Sequence, residues 1–219
     1  MQNLEIIVEG QREAFREISR RLIKIGSEFH SRGWLLGTSG NLSAVVSRSP
    51  LLIAITASGI DKGNLTEDGI LAIEGSGNII SGTGKPSSET PLHIAAIMAR
   101  GAGSVIHTHS VWGTIISTRF EKAAGFRIEG YEMLKGLDNV SSHDHTEWIP
   151  VLPNSQNMPA LSVHIEKLLA EREDLHCFML AGHGLYVWGN TLDDAKRHAE
   201  AIKFLLEVYG RTLMAGGQF

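Results

Sequence analysis

Apolar residues along this chain recur with two different periods. Between Gln11 and Arg32 they fall at Ala14, Ile18, Leu22, Ile25 and Phe29. Steps of three and four put them on one face of a helix, and Gly33 supplies a stop. The period then shortens, and Leu42 to Ser47, Leu51 to Thr56, Gly69 to Ile73 and Asn78 to Ile80 read as short strands punctuated by Gly, Asn, Asp and Pro. A helix is expected from Ser87 or Ser88, with Pro91 in its first turn, to a point before Gly101. Ser104 to Ile106 read as a buried strand, Val111 to Phe120 as a helix and Trp148 to Leu152 as a strand, and Ser155 to Glu171 contains a helix. Two apolar strands follow, Cys177 to Leu180 and Leu185 to Trp188. The last helix begins at Thr191, whose hydroxyl can cap it, with Asp193 and Asp194 near the positive end of its dipole. Ala195, His198, Ala199, Ile202, Leu205, Leu206 and Tyr209 form its apolar stripe. No internal repeat, low-complexity tract or linker interrupts the pattern, so one domain spanning residues 1–219 is expected.

Composition narrows the function classes. A net charge of −4 supplies no basic field for phosphate polymers, which argues against nucleic-acid and membrane-surface partners. No apolar run is long enough to span a bilayer, and Met1 to Gly10 carry no signal-peptide pattern. The lone cysteine, Cys177, has no partner for an internal disulfide, which suits a reducing cytoplasm. Set among Phe178, Met179 and Leu180, it reads as a small core residue.

The chemistry gathers on histidines. His107 and His109 close the strand that begins at Ser104, and residues two apart on a strand share a face. Their imidazoles therefore converge. His183, in Ala181-Gly182-His183-Gly184, also follows an apolar run and completes a three-imidazole set with an open position, the arrangement of catalytic zinc. Three small polar loops accompany it: Gly37 to Ser43, Thr56 to Ile60 and Gly82 to Glu89. In the last of these, free N–H groups at a helix start, with serine hydroxyls beside them, favour a phosphate monoester. Gly84-Lys85 is not a P-loop, because position 79 is Ile and position 86 is Pro. Neither serine loop has the Gly-x-Ser-x-Gly form of a nucleophile elbow. Glu89, at a helix start, and Glu132, in Gly130 to Gly136, are the two candidate proton carriers. The apolar neighbours of Glu132 are expected to raise its pKa. His143, Asp144 and His145 resemble a metal cluster in composition but lie in a polar stretch that reads as a loop.

In combination, Gly40-Asn41-Leu42-Ser43, Ser58-Gly59, Lys85-Pro86-Ser87-Ser88-Glu89, His107-Thr108-His109 and Gly182-His183-Gly184 resemble the class II aldolase/adducin family over nearly the whole chain. The resemblance implies an α/β fold, a three-layer α/β/α domain around a mostly antiparallel sheet. It implies zinc on His107, His109 and His183, and a homotetramer with the site near a subunit interface. Asn41, Ser58, Gly59, Ser87 and Ser88 match the positions that hold the phosphate of a small sugar-phosphate substrate. Glu89 matches the proton carrier of the family's aldolases, and Glu132 that of its dehydratases. The segments Glu132 to Gly136 and Gly182 to Gly189 resemble the dehydratase branch, which points to removal of water from a methylthio-substituted pentulose phosphate, with Glu132 as the favoured acid/base. An aldolase or epimerase of the fuculose or ribulose phosphate type would use the same site. A non-catalytic, adducin-like interaction domain would lack the metal histidines, and all three are present here.

Overall fold

The computed structural model of the protein describes residues 9–216. The reading of Met1 to Gly10 and the outer ends of the expected domain therefore lie largely outside the described residues. Among the described residues, no helix is long and apolar enough to cross a membrane.

A first helix, α1 (Glu9–Ser31), leads into β1 (Asn41–Arg48), β2 (Leu51–Thr56), β3 (Ile70–Glu74) and β4 (Ile79–Ser81). Next come α2 (Thr90–Arg100), β5 (Ser104–Thr108), α3 (Val111–Phe120), β6 (Gly125–Ile128) and β7 (Glu147–Leu152). The chain closes with α4 (Met158–Glu171), β8 (Cys177–Leu180), β9 (Leu185–Gly189) and α5 (Leu192–Met214). The strands form one nine-stranded sheet in the order β4-β3-β2-β1-β5-β9-β8-β7-β6. Among the described residues only the β7–β8 pair is parallel. The mostly antiparallel sheet and the expected α/β class are both observed.

Period-two alternation explains the layering. Ala54, Ile106, Cys177, Met179, Leu185 and Val187 face a core shared with α1, α3 and α5. Their neighbours Ile53, Ile55, Val105, Phe178, Leu180, Tyr186 and Trp188 face a second core built with α2 and α4. Successive side chains on each strand thus feed opposite layers, and both faces of the sheet are covered by helices.

Boundaries differ from the expected ones in a few places. The second helix starts at Thr90 rather than Ser87 or Ser88, because the Ser87 carbonyl and hydroxyl accept from the N–H groups of Thr90 (3.0 Å) and Glu89 (3.2 Å) in a turn ahead of it. Strand β6 is absent from the pattern reading, since four residues around Arg127 carry too little alternation to stand out. The last helix is capped as expected: Thr191 Oγ1 accepts from Asp194 N (3.1 Å) while the Asp194 carboxylate accepts from Thr191 N (3.1 Å). Cys177 is fully buried, and burial pushes its thiol well up.

Candidate active site

The site forms where one end of the sheet meets the start of α2. Asn41 opens β1 and stands opposite His107 on β5, and His107 in turn stands opposite Tyr186 on β9. His109 follows β5, and His183 sits in the turn between β8 and β9. Two glycines make this approach possible. Gly40 has φ +68°, and a Cβ there would lie 2.7 Å from the His107 carbonyl oxygen. A Cβ at Gly184 would lie 2.6 Å from the Thr108 carbonyl and 2.7 Å from the His107 ring, so only glycine lets the His183 turn close on β5.

His107, His109 and His183 come together as expected. One ligand atom from each lies within 4.8 Å of the others. The ring centroids are 4.7 Å apart for His107–His109, 5.0 Å for His107–His183 and 4.9 Å for His109–His183. His107 Nδ1 donates to the Leu185 carbonyl (3.1 Å), which leaves its Nε2 lone pair facing the site. That lone pair lies 2.9 Å from His109 Nε2. Burial holds His107 well below the usual histidine range and takes His109 down to about 4. Both rings are therefore neutral at pH 7, the form that ligates a metal. With His107 Nδ1 committed to a carbonyl, its Nε2 is left to ligate, and one nitrogen from each of the three rings lies within reach of a single cation. The triad can hold a divalent metal.

Glu89 joins the triad. Its Oε1 lies 2.9 Å from His183 Nε2 and 3.6 Å from His107 Nε2. Its Oε2 accepts from the Asn41 amide at 2.8 Å. Burial acts to raise the Glu89 carboxyl, but the His183 hydrogen bond, the two histidines and the Asn41 amide outweigh it and hold the group well below the usual range. Asn41 is itself oriented: its Oδ1 meets His93 Nε2, and His93 Nδ1 meets Ser43 Oγ at 2.7 Å. His93 is fully buried and held near 4 by desolvation.

The expected phosphate residues are only partly gathered. Asn41, Ser58 and Ser87 line a cavity of about 140 Å³ together with Thr38, Ser39, Gly40, Lys62, Glu89, His109 and His183. Ser58 is fixed by its N–H to the Lys85 carbonyl (2.8 Å), which binds the second loop to the third. Gly59 and Ser88 are outside that lining. A second, apolar groove opens beside the cavity, lined by Gly33, Leu36, Ser39, His109, Ser110, Val111, Thr114 and Ile115. Ser39 and His109 belong to both.

Glu132 corrects an expectation. Its side chain is 69 % exposed, on a short 3-10 helix over Glu132–Gly136, and is absent from the cavity lining. Leu134 takes the buried side of that turn, which leaves Glu132 and Lys135 together on the wet side. The Lys135 ammonium lowers the Glu132 carboxyl instead of an apolar setting raising it. The neighbouring His143, Asp144 and His145 form a loop, as their polar context suggests. His143 lies 3.4 Å from Glu132, and His145 Nε2 lies 2.8 Å from the buried Glu147.

Three residues of the site escape the sequence reading. His93 carries a faint signal, four residues after Glu89 and so on the same helical face. Tyr186, stacked on His107 at 4.0 Å, looks like an ordinary core aromatic. Lys62 looks like an ordinary turn lysine, and nothing in its neighbours predicts that it is 1 % exposed.

A three-layer α/β/α fold with three clustered imidazoles and a carboxylate at one end of its sheet defines a metal-site enzyme of the class II aldolase type. The chain belongs to the Class II Aldolase and Adducin N-terminal domain family, whose profile matches residues 20–210. It is 39 % identical over 192 residues to the methylthioribulose-1-phosphate dehydratase of Xylella fastidiosa (strain 9a5c), covering 87 % of each chain. It is 38 % identical over 199 residues to the enzyme of the same name from Methylococcus capsulatus, covering 90 % of this chain and 95 % of that one. Among solved structures it shares its fold with an L-fuculose 1-phosphate aldolase, at TM-score 0.76 and 24 % identity over 93 % of this chain and 89 % of that one. The L-fuculose-1-phosphate aldolase of Thermus thermophilus superposes at TM-score 0.71 and 20 % identity, over 93 % of this chain and all of that one (100 %).

Proposed function

We propose that this protein is a zinc-dependent hydro-lyase that converts 5-methylthioribulose 1-phosphate into its 2,3-diketo phosphate, a step of methionine salvage in the cytoplasm. The observation that carries the proposal is an order in space. A polar cavity with Asn41, Ser58 and Ser87 adjoins the histidine triad, and the apolar groove of Leu36, Val111 and Ile115 begins at His109. The substrate has the same order: phosphate, carbonyl and hydroxyl carbons, methylthio tail. The curated relatives supply the substrate's name.

His107, His109 and His183 would hold the zinc, which when bound supplies Lewis-acid polarisation of the substrate carbonyl and stabilises negative charge on oxygen. The chain's own groups do the rest. Asn41, Ser58 and Ser87, which line the cavity, are assigned to the phosphate, with Gly59 and Ser88 the adjoining positions of the same two loops, and so fix which carbon faces the triad. Glu132, ionised beside Lys135, is assigned to take the proton from C3 and to return it to the departing C4 hydroxyl, with Glu89, beside His183, as the second carboxylate candidate. Being exposed on the 132–136 turn, Glu132 suits delivery to a neighbouring copy in a homotetramer whose sites lie near subunit interfaces. Tautomerisation of the resulting enol gives the diketone.

Product analysis tests the proposal directly. Metal-loaded protein incubated with 5-methylthioribulose 1-phosphate is expected to accumulate the 2,3-diketo phosphate. No turnover with metal bound would overturn the assignment, and retro-aldol cleavage or epimerisation of pentulose or deoxyhexulose phosphates would replace it.

A further inference from the structure

Lys62 is a buried charge at the site that the proposed mechanism leaves unused. Its side chain is 1 % exposed, yet it lines the same cavity as Asn41, Ser58, Ser87 and Glu89. Its ammonium donates to the Thr38 carbonyl (3.2 Å) and the Ile60 carbonyl (2.7 Å). Those carbonyls belong to the two loops that flank the cavity, one leading to Asn41 and the other following Ser58 and Gly59. Three donors against two backbone acceptors leave one N–H of the ammonium uncommitted. No carboxylate is hydrogen-bonded to it among the described residues, so the buried charge is offset by Asp61 and Glu89 only at a distance. Burying an ammonium without a bonded counter-ion is costly, and the cost is recovered when an anion arrives.

We infer that Lys62 is a phosphate-site residue: its ammonium ties the Thr38 and Ile60 loops together and supplies the positive charge that receives the substrate's phosphate monoester. This deepens the proposed function and rests on its phosphate subsite. Dianion recognition by serine hydroxyls and an amide alone would be neutral. A buried ammonium in the same cavity makes it charge-assisted, the stronger class of hydrogen bond. Burial pushes Lys62 below the usual lysine range, and a bound dianion would restore it.

The test uses inorganic phosphate as the probe on the full chain, followed by phosphorus NMR titration, together with steady-state kinetics. Lys62→Met is expected to weaken phosphate binding roughly 10- to 100-fold and to raise KM more than it lowers kcat, with metal content retained. Lys62→Arg, which keeps the charge, is expected to recover part of the affinity. Phosphate affinity and KM unchanged in Lys62→Met would overturn the inference while leaving the dehydratase intact. Wild-type protein that binds phosphate through Lys62 but does not turn over methylthioribulose 1-phosphate would overturn the dehydratase and leave Lys62 standing. If Lys62→Met does not fold, the Nζ signal of nitrogen-15-labelled lysine in the wild-type chain decides. A shift of the Lys62 ammonium on phosphate addition supports the inference, and a resonance that does not move overturns it.

Discussion

Lys203 is a cation in the wrong place for stability, and removing it should strengthen the fold. It lies on α5 at 5 % exposure, with its ammonium unbonded and 5.8 Å from the centre of the Trp34 ring. Burial lowers its pKa from 10.5 to about 7. The unfolded chain therefore binds this proton more tightly than the folded one, so stability rises with pH between about 7 and 10.5. At 1.36 kcal/mol per pH unit, that gap sets a ceiling of ~5 kcal/mol on what the charge costs at pH 7. Water entry and the Trp34 cation–π contact reduce it, and a net ~2–3 kcal/mol is expected. Lys203→Met keeps the apolar stem and drops the charge. It should be more stable than wild type by that amount at pH 7 in urea denaturation, with an unchanged m value. By pH 10 the advantage should shrink to less than ~1 kcal/mol, because the wild-type amine is then neutral in the folded chain and the unfolded chain is losing its proton as well. A variant no more stable than wild type at pH 7, or an advantage that does not change with pH, refutes the reasoning.

Three further outcomes test the site. Chelation should abolish turnover and lower the melting temperature, and zinc should restore both; a ligand at a thousandfold its Kd is worth about 4 kcal/mol. A chain that takes up no stoichiometric divalent metal would refute the triad. The apolar groove predicts a preference for the tail: burying a methylthio group is worth ~1.5–2 kcal/mol, so kcat/KM should exceed that for the 5-deoxy substrate by roughly 10- to 30-fold. Val111→Asp with Ile115→Asp should bring the ratio near one, and an unchanged ratio removes the groove from recognition. Glu132→Gln should lose on the order of 10²–10⁴ in kcat with substrate and metal still bound; full activity would transfer the acid role away from Glu132.

Much of the molecule is readable from local pattern. The bounds of β2 and α3 coincide with the expected ones, because Leu51 to Thr56 and the Ser110-capped Val111 to Phe120 declare themselves by neighbours alone. The i, i+2 spacing of His107 and His109 predicts that two imidazoles converge; His107 lies on β5 and His109 just past its end, and the ring centroids are 4.7 Å apart. Glu132 shows the limit of such reading. Its apolar neighbours in sequence suggest a dry setting, but a 3-10 turn sends Leu134 inward and Glu132 outward.

Local spacing along the chain thus settles the elements, the convergence of His107 and His109, and the loops whose glycines permit close approach. Those properties depend on separations of a few residues, which the backbone converts directly into direction. Packing between distant elements settles what remains. Docking the start of α2 against β1 and β5 brings Glu89 to His183, 94 positions away along the chain (183 − 89). The same packing sets His93 behind Asn41 and buries Lys62 beneath two loops. Burial and charge at a site are sums over neighbours distant in sequence, and only the folded chain fixes which neighbours those are.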